Sequence, residues 1–102
     1  MNRKEFIQSE IENEPDNPLN YYLMAIEYRK LDDKEAMQKV LEFMLDRFSD
    51  YLPIYYLYAE HLYETDYIER ATALAEKGIR QAQIVKNLKL ENELKQLILL
   101  NC

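Results

Sequence analysis

Few side chains in this chain of 102 residues belong to types that do covalent or metal chemistry. His61 is the only histidine and Cys102 the only cysteine. Glu60 and Glu64 lie near His61 on the same expected helix, but a zinc site needs three or four well-placed ligands, and no second His or Cys supplies them. His61 therefore reads as a solvated surface histidine. Cys102 would need a partner base to act as a nucleophile, and the sequence indicates none. The lone glycine, Gly78, cannot build a phosphate-cradling loop. No catalytic residue, metal site or cofactor is expected, and the chain reads as a non-enzyme. What stands out instead is nine tyrosines with no tryptophan. Such rings pair an apolar body with a polar tip, and protein interfaces are enriched in them.

Charge and composition narrow the class further. With 13 basic and 19 acidic side chains the net charge is −6, the wrong sign for a phosphate-binding groove, so no nucleic-acid partner is expected. Lys77, Arg80, Lys86 and Lys89 read as a solvated face near helix ends. No apolar run reaches the roughly 20 residues needed to span a bilayer. Met1 to Glu14 lacks the apolar core of a secretory signal, so a cytoplasmic protein with no membrane association is expected. A single Gly and three Pro leave little material for hairpin turns, which points to an all-α fold. The length suits one domain.

The helices repeat. An offset of 34 residues aligns Tyr21, Tyr22, Leu23 and Ala25 with Tyr55, Tyr56, Leu57 and Ala59, and Asp32, Glu35 and Glu42 with Asp66, Glu69 and Glu76. Within each period Tyr21, Met24, Ala25 and Tyr28, answered by Tyr55, Tyr58, Ala59 and Leu62, follow the spacing of one helix face. A second face runs through Met37, Val40, Leu41, Met44 and Phe48, answered by Ala71, Leu74, Ala75 and Gly78. Asp32 with Glu35, and Asp66 with Glu69, have the form of capping boxes that would start the second helix of each pair. Asn17 with Pro18 opens repeat 1, and Pro53 does so in repeat 2. Shifted by the same period, Phe6, Ile7 and Ile11 fall on Val40, Leu41 and Leu45. Residues 2–13 thus read as the second helix of a partial repeat, 18–51 as repeat 1, 52–85 as repeat 2 and 86–101 as a capping helix, with Asn87 a weak break before it.

These marks resemble the tetratricopeptide repeat, a helix-turn-helix unit of 34 residues with an aromatic, a small residue and a Tyr along its first helix. Tyr21 and Tyr55 stand at the aromatic position, Ala25 and Ala59 at the small one, and Tyr28 and Leu62 at the Tyr position. Met37 and Ala71, then Met44 and Gly78, occupy the small sites of the second helices. Helices cross closely at such sites, which accounts for a glycine in mid-helix despite its cost of about 1 kcal/mol. The resemblance implies a right-handed helical-repeat solenoid of about six antiparallel helices. It also implies a protein-interaction module whose first helices line a concave groove. Carried over by position, that groove takes Leu19, Tyr22, Ile26, Arg29 and Lys30 from repeat 1, and Pro53, Tyr56, Glu60, Tyr63 and Glu64 from repeat 2.

Two readings of this face stand side by side. Either Tyr22 and Tyr56 grip a protein or peptide partner of unknown identity, or they pad helix contacts while the repeats self-associate as a homodimer or within a larger assembly. Tyr22 and Ile26 occupy the places where some relatives hold a terminal carboxylate with Lys and Asn, so no such clamp is expected. Leu90, Leu94 and Leu97 continue the groove face in strict register, or the core face if the connection is one residue longer. No other face of that segment is apolar and a cap must bury one, which favours the core.

Overall fold

A computed structural model describes residues 2–102, and its described residues form six α-helices and no strand. They are α1 (Arg3–Asn13), α2 (Pro18–Lys30), α3 (Lys34–Arg47), α4 (Pro53–Glu64), α5 (Ile68–Ile84) and α6 (Leu88–Asn101). The all-α expectation holds. The chain divides into two compact units, one ending at Ser49 and the other beginning at Asp50.

In the first unit α2 packs against both α1 and α3. Asn17 caps α2 by accepting from the Leu19 amide at 3.1 Å, with Pro18 in the first turn, as the sequence indicates. Ile7, Met24, Ala25, Met37, Leu41 and Met44 are buried, one apolar stripe from each helix. Tyr21 anchors the other end of this core. Its ring lies 5.0 Å from that of Phe43 and 5.5 Å from that of Phe48, and its hydroxyl donates to the Pro15 carbonyl at 2.7 Å.

The turn between α2 and α3 is not built as a capping box. Asp32 has φ 55, the left-handed region that only Gly, Asn and Asp enter readily. There its amide donates to the Arg29 carbonyl at 3.0 Å and the Asp33 amide to the Tyr28 carbonyl at 2.9 Å. That bonding pattern is a Schellman ending of α2. Asp33, not Asp32, then caps α3 by accepting from the Ala36 amide at 3.1 Å, so Glu35 has no capping partner in the box sense. One period later Asp66 has φ 67, the Tyr67 amide donates to the Leu62 carbonyl at 2.8 Å, and Tyr67 takes the cap position without a side-chain bond. Asp can serve either as a cap acceptor or as a left-handed residue, and closing the preceding helix takes the second use here.

In the second unit α5 packs against both α4 and α6. Tyr55, Tyr58, Ala59, Leu62, Ala71, Ala75 and Leu94 are among its most deeply buried side chains. The tightest point is Gly78. A Cβ there would sit 2.7 Å from Tyr55 Cβ and 2.8 Å from Leu94 Cδ1, so α4 and α6 both close on one side of α5. Asn87 is a full break: Lys86 has φ 60, the Asn87 amide donates to the Ala82 carbonyl at 2.8 Å, and its side chain accepts from the Leu90 amide at 3.1 Å. One residue thus ends α5 and caps α6. Leu94 and Leu97 are buried and Leu90 is half-buried, which settles that stripe as core.

Gly78→Ala is expected to destabilise the protein by about 1–3 kcal/mol, the cost of overpacking, despite a helix-propensity gain of about 1 kcal/mol. The Tyr55 Cβ is fixed to its backbone and cannot swing aside. An unchanged or raised denaturation midpoint would show that the contact is slack. Lys86→Gly should act oppositely, raising stability by about 1 kcal/mol by removing a Cβ from a left-handed residue. Urea denaturation of both variants reads the two signs in one series.

Candidate functional site

The residues assigned to a groove from sequence sit on α2 in the first unit and on α4 in the second. On α2, Leu19 is exposed, Tyr22 and Ile26 are half-buried, and Arg29 and Lys30 are exposed. Leu19, Tyr22, Ile26 and Arg29 follow one another by three or four residues, so one side of α2 presents an apolar stretch ending in cations. Lys30 is partly engaged, donating to Glu27 Oε1 at 3.4 Å. Glu27 is buried and also pairs with Arg3 of α1. A carboxylate taken out of water needs such partners, so Lys30 serves the α1–α2 contact as well as the surface.

On α4, Pro53 and Glu64 are exposed, Tyr56 and Glu60 half-buried. Tyr63 differs. It is 6% exposed, and its hydroxyl lies 2.6 Å from Thr72 Oγ1 of α5 and 4.0 Å from Cys102 Sγ. The ring packs inward and offers a partner little surface. Cys102 is not a dangling end, since its sulfur also lies 3.5 Å from Thr72 Oγ1. His61 is a correction: it is 4% exposed, not a solvated surface residue. Ile54, Leu57 and Tyr58 are buried along with Tyr55 and Leu62, so α4 is covered on more than one face, and a helix apolar nearly all round is a buried helix.

Tyr22 in the first unit and Tyr56 in the second, at the same position in the two repeats, are the assigned aromatics that stay half-buried. Each already has an interaction within the chain. Among the described residues no group of three or more His, Cys, Asp and Glu is placed to hold a metal ion. No helix among them is long and apolar enough to cross a membrane.

A second feature was invisible in the repeat pattern. Tyr21, Tyr28 and Val40, which the pattern places in the seam, are only half-buried, and Phe43 is exposed. They line a cleft of about 300 Å³ between α1 and α3, floored by α2. The one signal for it in the sequence is Phe43 itself, an aromatic outside the seam whose counterpart a period later is Lys77. Comparison with family models, with curated proteins and with solved structures found no match.

Burial raises the hydroxyl pKa of Tyr55 above its ordinary value of 10.0, and the nearby Asp50 carboxylate adds to the effect. Tyr63 is raised too, first by burial, with the Thr72 hydrogen bond opposing. A group whose folded pKa is raised contributes stability that is intact below the unfolded value and lost as pH climbs through the folded one. An ultraviolet titration should therefore show at least two of the nine tyrosines ionising above pH 10.0, with stability declining over that same range. Tyr63→Phe should remove one late-titrating group. A titration in which all nine ionise together near the ordinary value would contradict the burial of Tyr55 and Tyr63.

Proposed function

We propose that the chain is a non-catalytic protein-interaction module, a cytoplasmic adaptor of tetratricopeptide type whose helix pairs stack as a right-handed solenoid and bind a peptide or protein segment. The observation that carries this reading is the recurrence of one helix-turn-helix unit. Asp32 and Asp66 take the same left-handed turn 34 residues apart, α3 and α5 begin one period apart, and α2 and α4 end one period apart. Proteins built by repeating one supersecondary unit commonly bind along an extended surface. Tyr22 and Tyr56 recur on that unit at one position, half-accessible, and aromatic anchors of this kind carry much of the energy of interfaces. Ile26, Leu19 and Pro53 would supply apolar contact around them, Arg29, Lys30, Glu60 and Glu64 a charged rim of mixed sign.

One observation favours a second reading, self-association without a free peptide. Ile84, Val85 and Leu88 are 73%, 59% and 65% exposed at the α5–α6 turn, and exposed apolar side chains gathered on a small domain favour a contact surface.

The two readings separate in one experiment. A Tyr22→Ala, Tyr56→Ala double variant that keeps its helical circular dichroism should lose co-purifying proteins by at least tenfold, since anchor truncation costs about 2 kcal/mol or more. Its sedimentation should be unchanged. An Ile84→Ser, Leu88→Ser variant tests the rival: loss of a concentration-dependent dimer with intact partner recovery favours both surfaces being used, whereas undiminished recovery by the tyrosine variant rejects the groove.

A further inference from the structure

The cleft of the first unit is walled by all three of its helices: Ile11 from α1, Tyr21, Met24 and Tyr28 from α2, and Val40 and Phe43 from α3. Gln8 and Lys39 complete the lining, and Lys39 is the single charged residue in it. Its nearest acid is Glu35, at 4.0 Å with both side chains strongly exposed, a pair too loose to occupy the ammonium. Past Gln8, Met24 and Tyr28 the cleft continues along α1 as a second depression of about 440 Å³, where Glu5 and Glu12 stand at the edge beside Lys4. The Lys4 ammonium lies over the Tyr28 ring, 5.8 Å from its centre. One period on, Tyr55, Tyr58 and Leu62 replace Tyr21, Met24 and Tyr28 and are fully buried. The opening is therefore particular to the first repeat and not a by-product of the repeated unit.

We propose that this cleft binds an apolar monocarboxylate, an acyl acid with its chain on the aromatic floor and its head group at Lys39. The volume falls at the lower end of the range for small-molecule sites, roughly 300 Å³ and upward, and the lining is apolar or aromatic apart from Gln8 and Lys39. Charge sets the orientation. At the Lys39 end the cation faces one loosely held carboxylate, Glu35, whereas at the α1 end Glu5 and Glu12 outnumber Lys4, repel an anion and leave that end to the alkyl tail. None of Tyr22, Ile26, Tyr56 or Glu60 takes part, so the site is independent of the peptide-binding reading.

The test uses the full chain and decanoate below its micellar concentration, followed by methyl resonances. Ile11, Met24 and Val40 should shift and saturate while Ile54 and Leu74 of the second unit do not. Decanol, with the same chain and no charge, should bind about threefold to fivefold more weakly, the ratio that one exposed ion pair supports. Lys39→Gln, at an exposed position that leaves the fold intact, should bring decanoate down to the level of decanol. Val40→Phe should fill the cleft and abolish the shifts of both ligands. The proposal is overturned by no saturable shift, by equal shifts in the second unit, or by a decanoate preference that survives Lys39→Gln. Tighter binding by a peptide ending in leucine with a free carboxylate also overturns it, and would reassign the cleft to a protein terminus.

Discussion

The close approach of helices at small residues is the constraint on which the packing rests. In the second unit it is concentrated at Gly78, where the space a methyl group would need is already taken by Tyr55 and Leu94. Because α4 and α6 both reach α5 there, the large side chains around the contact, Tyr55, Tyr58 and Leu62, are driven to full burial. The first unit has Met44 at the corresponding place. Its bulk is buried, and Tyr21 and Tyr28 of the same unit are left half-covered. A glycine in one repeat and a methionine in the other, at the same position, accompany a sealed core in one unit and an open cleft in the other.

The helix plan was legible because its signal is long-range and redundant. Seven identities in one register, backed by apolar spacing on two faces of each period, divide each period into two helices. The turns themselves were not legible. Asp32 and Asp66 each precede a Glu by three residues, the signature of a cap, but the same side chain is among the few that tolerate a left-handed backbone. A local motif cannot say which of two compatible roles the chain adopts when the preceding helix also needs an ending. Asp33, with no counterpart acid at Tyr67, shows that the cap is dispensable while the helix ending recurs.

Burial on α4 extends beyond the periodic face for a different reason. Periodicity identifies one buried face, and His61 and Tyr63 lie off it, so both read as surface residues. A polar group enters a core at little cost once its hydrogen bonds are met, and Tyr63 meets this condition through Thr72. That partner lies on α5, nine residues away, and only the folded chain shows it. The same holds for Glu27, whose partners Arg3 and Lys30 come from two helices. Of the assigned aromatics, Tyr22 in the first unit and Tyr56 in the second keep partly accessible rings, and Tyr63 does not.

The order in which the helices touch has a kinetic consequence. Among the described residues the main contacts run α1 to α2, α2 to α3, α4 to α5 and α5 to α6, with α4 also meeting α6 within the second unit. Contacts this local require short loop closures, and chains dominated by them fold on microsecond to millisecond timescales. The loops to be closed end in pre-set turns, with a left-handed residue at Asp32, Asp66 and Lys86 fixing where each helix stops. A nascent chain can thus form each hairpin of helices almost as soon as its second helix emerges, before the remaining sequence exists to compete for its apolar face.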